Sequence, residues 1–151
     1  MLEVRKAKPA EAAEIAAVAV AAYAPYVARI GRPPAPMTAD YAAAVDRGEV
    51  WVAIADGAIT GLLVLVPAPD HMLLENVAVR PDAQRTGIGA RLLGLAEDQA
   101  RRLGLTEIRL YTNVAMTENL AYYPRHGYVE THRGEGAGFS RVYFAKCLPA
   151  A

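Results

Sequence analysis

The stretch Asn76-Val77-Ala78-Val79-Arg80-Pro81-Asp82-Ala83-Gln84-Arg85-Thr86-Gly87-Ile88-Gly89-Ala90-Arg91-Leu92-Leu93 decides the fold. Its first residues are β-rich and stop at Pro81, which has no N–H to donate and biases Arg80 towards extended backbone. From Ile88 the apolar residues recur at three- and four-residue steps through Leu92, Leu95, Ala96 and Leu103, the period of a helix. Two glycines occupy the turn between strand and helix. Glycine lets a ligand approach the backbone closely, and the first-turn amides of a helix have no intrahelical acceptor. Together with the helix dipole and the charge of Arg85, they predict a site for a phosphate or pyrophosphate.

Two familiar anion sites are excluded. A P-loop needs Gly-Lys-Ser/Thr after a glycine and four residues, and Lys8 is the only lysine between Ala7 and Leu92. A Rossmann turn needs a small residue where Leu92 stands and an acidic residue at the end of the next strand, which here is Thr112. What remains, Gln84-Arg85-Thr86-Gly87-Ile88-Gly89, fits either a phosphate cradle or a plain strand-to-helix turn.

Working outward, Leu2 to Lys6 alternates apolar and charged residues as an edge strand does. Pro9 opens a helix that carries Ile15, Val18, Ala19, Ala22 and Tyr26 on one face, ended by Gly31 and the prolines at 33, 34 and 36. Thr38 is read as the cap of a short second helix through Tyr41 and Val45. Val50–Ala55 and Ala58–Val66 are strands joined by Asp56-Gly57, a pair suited to a type I′ turn. Met72 to Val79 is the strand that enters the opening motif. Gly104 closes the long helix, Glu107 to Thr112 is the next strand, and Thr117 caps a helix reaching His126. Two last strands, Tyr128–Arg133 and Phe139–Leu148, flank a loop with Gly134, Gly136 and Gly138. Strand, helix and strand in succession predict that the strands at Val77 and Leu110 run parallel.

The composition narrows the function classes. Sixteen basic and sixteen acidic residues cancel, so no net field favours nucleic acid or an anionic membrane. The longest apolar run, Ala16 to Ala24, is short for a bilayer, and Met1 to Arg5 has no signal-peptide core. A single cysteine, Cys147, excludes an internal disulfide and fits a cytoplasmic location. His71, His126 and His132 show no metal-ligand spacing, and the only serine, Ser140, lies in no nucleophile elbow. Cys147 reads as an inert apolar residue, so neither a metal nor an acyl-enzyme is expected.

A second segment, Asn119-Leu120-Ala121-Tyr122-Tyr123-Pro124-Arg125-His126-Gly127-Tyr128, resembles the Asn-x-x-x-Tyr-x-x-x-Gly-Phe/Tyr signature of the GCN5-related N-acetyltransferases, the GNAT superfamily. The glycine turn resembles that family's Gln/Arg-x-x-Gly-x-Gly/Ala loop, and the element order matches along nearly the whole chain. Pro124 departs from the pattern, because an interior proline kinks a helix or costs about 3 kcal/mol.

The resemblance implies an α/β (α+β) fold over residues 1–151 as a single GNAT domain. Its sheet would be mixed and mostly antiparallel, of about seven strands with a central parallel pair, flanked by about four helices. It also implies acetyl-CoA as cosubstrate and direct acetyl transfer to a primary amine on a small molecule or peptide. In the family the pantetheine arm pairs with the strand at Val77, Ala78 and Val79. The pyrophosphate meets Arg85, Thr86, Gly87, Ile88, Gly89 and Ala90, and Asn119 and Tyr123 face the cofactor. Tyr123 would donate to the leaving thiolate, with Tyr122 as the core member of the pair. Glu75, two residues before Val77 and so on its face by alternation, is either the base for the amine or a strand-end carboxylate in water. Tyr26, Arg29, Arg32, Met37, Arg133 and Glu135 are expected around the acceptor. A homodimer is compatible with this reading. The alternative function is a non-catalytic acyl-CoA sensor.

Overall fold

Asp56 and Gly57 both have positive φ, at 52° and 78°, and close the hairpin between Val50–Ala55 and Ala58–Pro67 as a two-residue turn. A second such turn, at Ala137 and Gly138 with φ of 50° and 80°, replaces the expected glycine-rich loop. Gly134 and Gly136 lie inside the preceding strand instead.

The computed structural model describes residues 2–149. In chain order the elements are β1 (Leu2–Lys6), α1 (Ala12–Tyr23), α2 (Val27–Ile30), α3 (Ala35–Thr38), α4 (Tyr41–Asp46), β2 (Val50–Ala55), β3 (Ala58–Pro67) and β4 (Met72–Val79). They continue with α5 (Ile88–Arg102), β5 (Glu107–Asn113), α6 (Thr117–Arg125), β6 (Val129–Gly136) and β7 (Phe139–Cys147). Seven strands form one sheet in the order β1-β2-β3-β4-β5-β7-β6. Among the described residues only β4 and β5 pair in parallel, as the crossover through α5 requires.

Each face of the sheet has its own core. Ile15, Val18 and Ala19 of α1 and Tyr41 and Val45 of α4 cover Val52, Ile59, Leu62 and Val64. On the other face Ile88, Leu92, Leu93 and Ala96 of α5 cover Leu63, Leu65, Met72, Leu74, Ile108 and Leu110. Each fully buried aliphatic side chain contributes about 1.5–3 kcal/mol of transfer free energy. Gly61 of β3 sets how close α5 comes: a Cβ there would meet Ile88 Cγ2 at 3.1 Å and Leu92 Cδ1 at 3.2 Å. That contact fixes the first turn of α5 against the sheet.

Two local expectations are corrected. Asp40, not Thr38, caps α4, its carboxylate accepting the Ala43 amide at 3.0 Å, while Thr38 ends α3. Cys147, read as an inert apolar residue, is exposed. The helical run Pro9–Ile30, 22 residues long, is by length and composition alone apolar enough to cross a membrane, although its unbroken apolar stretch is shorter. Pro25 breaks the run into α1, a 3₁₀ turn and α2, and α1 packs its inner face on β3 and β4.

Candidate functional site around the β4–β5 cleft

β4 and β5 share only two register pairs, Met72 with Ile108 and Leu73 with Arg109. Beyond Leu73 the two strands part, so the later half of β4 has a sheet partner on its β3 side alone. The break coincides with a β-bulge. Val64 of β3 pairs with Asn76 and Leu65 with Leu74, leaving Glu75 as the extra residue. Before the bulge Met72 and Leu74 face the α5 core, and after it Val77 and Val79 do. The expected alternation between Glu75 and Val77 therefore fails, because the inserted residue shifts the period by one. Glu75 is exposed and lies towards α4, where its charge helps to push the Tyr41 phenol up, after the larger effect of burial.

The free edge of β4 carries backbone groups. Arg80 donates to Thr60 of β3 at 2.8 Å, so the even-numbered residues turn towards β3 and the odd-numbered ones away. In agreement, the Val77 carbonyl accepts from Tyr23 Oη at 3.1 Å and the Val79 carbonyl from Gln84 Nε2 at 3.1 Å. Val77 and Val79 thus offer their amides along the cleft. Ala78 turns its backbone to β3 and buries its methyl against the α1 side.

Where β4 ends, the chain forms a nest of amides. Arg85 and Gly87 have φ of 65° and 90°, and the first amide bond of α5 is Arg91 to the Gly87 carbonyl at 3.0 Å. Among the described residues the amides of Arg85, Thr86, Gly87, Ile88, Gly89 and Ala90 have no protein acceptor. Thr86 Oγ1 ties the loop to the Ala83 carbonyl at 2.5 Å. A Cβ at Gly87 would meet nothing within 4 Å, so this side of the loop is open to a ligand. Successive free amides at a helix start bind phosphate. Gly89 has a different reason: a Cβ there would lie 2.8 Å from Tyr122 Oη, so this glycine admits α6 against α5.

α6 ends in a pair of bonds that aim Tyr123. Gly127, at φ 89°, donates to the Pro124 carbonyl at 3.1 Å, and Tyr128 donates to the Tyr123 carbonyl at 3.1 Å. This Schellman cap brings the residue after the glycine onto the side chain three positions before the C-cap. The rings of Tyr123 and Tyr128 accordingly pack edge-on at 5.8 Å. Pro124 stands in the last turn, where the helix is already closing, so it does not turn Tyr123 away. Tyr123 is 6% exposed, with Phe144 also against its ring, and is more buried than half-exposed Tyr122. Its ring is in the core and its edge lines the cleft. Burial pushes its phenol well above the ordinary value, and Tyr122 and Tyr26 add to the effect.

The cleft opens into a cavity of about 340 Å³ between the β4 bulge, the Pro34–Tyr41 segment, β5 and the start of β7. A buried chain of hydrogen bonds crosses its floor. Tyr23 Oη donates to Asn76 Oδ1 at 2.5 Å, Asn76 Nδ2 to Tyr41 Oη at 2.8 Å, and Tyr41 Oη to the Pro36 carbonyl at 2.6 Å. Asn119 gives its amide to Thr112 Oγ1 at 3.0 Å, which leaves its carbonyl oxygen for another partner.

Residues 12–128 match the model of the Acetyltransferase (GNAT) family. The chain belongs to that family. It is 31% identical over 101 residues to Probable N-acetyltransferase 14 of Xenopus tropicalis, a match covering 65% of this chain and 49% of that protein. It is 29% identical over 85 residues to the uncharacterized N-acetyltransferase YvbK of Bacillus subtilis, covering 56% of this chain and 55% of that one. The chain thus spans about half the length of these relatives. Among solved structures, the PaiA N-acetyltransferase of Thermoplasma acidophilum in complex with coenzyme A superposes with a TM-score of 0.84 at 19% identity, covering 97% of this chain and 99% of the other. Ard1 of Thermoplasma volcanium gives 0.78 at 14% identity, covering 98% of each. Both carry the same fold.

Within this GNAT fold Val77 of the β4 edge, Asn119 and Tyr123 line one cavity, with Glu75 on its wall, while the glycine loop follows the end of β4 and does not line it. The expected acceptor residues do not. Arg29 pairs with Glu118 at 2.6 Å and Arg133 with Glu130 at 3.1 Å; neither they nor Tyr26, Arg32, Met37 or Glu135 line the cavity. Missed were Tyr23, Tyr41, Asn76, Tyr111 and Arg141. Asn76 carried a signal: it is a lone amide inside an apolar strand.

If the Asn76 chain holds the bulge, Asn76→Ala removes two buried hydrogen bonds. The expected result is a loss of about 1–3 kcal/mol, read from the urea midpoint. An unchanged midpoint would mean that the chain carries no stability.

Proposed function

We propose that the protein is an N-acetyltransferase that moves the acetyl group of acetyl-CoA directly to a primary amine. The reading is carried by one arrangement: the free edge of β4 runs from the six partnerless amides beyond its end to Val77, which lines the same cavity as Tyr123. The amides of Arg85 to Ala90 suit the pyrophosphate, and the Val77 and Val79 backbone suits the amide groups of the pantetheine arm.

The chemistry then falls to few groups. An alkyl ammonium has a pKa of about 10, so it must lose a proton before its nitrogen can attack. Glu75, on the wall where the cavity meets the bulge, takes that proton directly or through water. The Val77 amide polarises the thioester carbonyl as carbon–nitrogen bonding begins. As the carbon–sulfur bond breaks, the Tyr123 hydroxyl donates a hydrogen bond to the departing thiolate. Its raised pKa keeps the phenol protonated, and a thiolate of pKa about 8.5 is the weaker base. Tyr123 therefore stabilises by donation, while the second amine proton leaves to solvent or to the thiolate.

Three outcomes check this. Acetyl-CoA at 100 times its Kd is expected to stabilise the protein by about 2.7 kcal/mol in a thermal-shift titration, and Gly87→Val to abolish the effect by filling the open side of the nest. A normal shift with the variant, or a larger one with ATP, overturns the assignment. Binding without thiol release from any amine would identify a sensor.

Tyr123→Phe keeps the ring and its packing. It is expected to lower kcat by about ten- to a hundredfold through loss of one charge-assisted donor, with acetyl-CoA affinity unchanged. An unchanged kcat with lowered stability would make Tyr123 a core residue only.

For Glu75→Gln the signature lies in the pH profile. Activity is expected to fall most at low pH and to recover towards the amine's own pKa, where solvent supplies neutral acceptor. An equal loss at every pH would make Glu75 a positioning group.

A further inference from the structure

Most charges on or near the cavity have a partner, and two do not. Arg47 pairs with Glu49 at 3.0 Å, and Asp40 accepts the Ala43 amide. Just outside the walls, Arg32 donates to the Gly138 carbonyl and stacks on Phe139. Arg141 of β7 makes no ion pair or side-chain hydrogen bond with any described residue. Its guanidinium lies 4.0 Å from the Tyr111 ring centre, and Gly136, diagonal to it on β6, makes room for it, since a Cβ there would collide with the guanidinium. Glu75, on the β4 side of the same cavity, also has no partner among the described residues.

A guanidinium laid on an aromatic face keeps its edge N–H groups free. That planar fork matches a carboxylate in a bidentate pair. Stacking on Tyr111 also removes part of its water, so an anion that reaches it is screened less than at an open surface. Apolar Pro34, Pro36, Ala39, Met116 and Phe139 line the same cavity, beside polar Asn76, Asn113 and Asn119. At about 340 Å³ the cavity is at the small end of ligand pockets. Part of it, along Leu74–Val77 and Leu110–Asn113, is the cleft that the acetyl donor must share.

We infer that the acceptor is a small zwitterion, an α-amino acid or close analogue with an apolar side chain, whose carboxylate pairs with Arg141 while its amine faces Glu75. This rests on the acetyl-transfer reading above. A polyamine would bring a second ammonium against Arg141. A protein N-terminus would leave the guanidinium without an anion.

The test measures thiol release from acetyl-CoA with L-leucine, L-methionine and L-phenylalanine, each beside its primary amide, and with spermidine and a hexapeptide amide. The amino acid is expected to exceed its amide by about ten- to a hundredfold in kcat/KM, the worth of one charge-assisted pair. Its carboxylate makes the amine more basic and so less often neutral, which would favour the amide if binding were equal. Arg141→Gln is expected to bring the ratio close to one, and Arg141→Lys to restore it in part, with stabilisation by acetyl-CoA retained in both. In parallel, the CoA-saturated protein is expected to gain more thermal stability from L-leucine than from L-leucinamide.

Equal use of acid and amide, preference for spermidine or the peptide, or an equal loss for both members of a pair in Arg141→Gln overturns the inference and leaves acetyl transfer standing. Absence of any acetyl-CoA effect overturns acetyl transfer and the inference with it. Binding of acetyl-CoA without turnover overturns catalysis alone if L-leucine still outperforms its amide in the thermal assay.

Discussion

The parting of β4 from β5 after two register pairs is the constraint on which the rest of the molecule depends. An unpaired strand edge inside a sheet leaves backbone donors and acceptors without partners, and buried backbone groups are nearly always satisfied. Here the chain satisfies only some of them. Tyr23 and Gln84 take the carbonyls of Val77 and Val79, and the amides beside them stay open. The bulge at Glu75 makes this geometry stable by turning Asn76 into the α1–α4 side, where Tyr23 and Tyr41 hold it. A regular β4 would have placed Asn76 with the apolar residues over α5.

That same bulge explains what was legible in the sequence and what was not. The glycine turn, the hairpin at Asp56-Gly57, the helix from Ile88 and the parallel crossover all rest on local chemistry, and they were readable from it. So was the second motif, because a Schellman glycine and its flanking aromatics leave a mark at fixed spacing. The side of the strand on which Glu75 falls was not readable, since one inserted residue shifts every later position and nothing within β4 announces it. The cavity walls were hidden for a related reason. Arg29 and Arg133 looked available because Glu118 comes into reach only by packing, and Glu130 only through the register irregularity of β6 between Glu130 and His132. Arg141 looked like an ordinary strand residue until Tyr111 and Gly136 came beside it.

Two glycines two residues apart serve different ends. Gly87 adopts a left-handed φ with open space around it, which suits a ligand. Gly89 is helical and crowded by Tyr122, which suits packing. A motif letter therefore does not carry one meaning. The loop amides lie where they do because Gly61 lets α5 settle on β3, because Gly87 bends, and because Gly89 lets α6 lean on the first turn of α5. Loss of any of these contacts would move the amides relative to the cleft.

Tyr123 shows how stability and chemistry share one side chain. Its ring is held by Tyr128 and Phe144, contacts worth about 0.5–1.5 kcal/mol each beyond their buried area. Its position is set by the cap at Gly127, whose bonds do not involve the hydroxyl. The hydroxyl is thus the one part of the residue that the fold does not use. It makes no side-chain hydrogen bond with any described residue, whereas Tyr23 and Tyr41 both spend theirs on the floor of the cavity. On the proposed reading, a phenol that is rigidly held, kept protonated by burial and left without a side-chain partner is preorganised to donate where negative charge would develop. On that reading the packing of the core fixes its direction before the proposed thiolate forms.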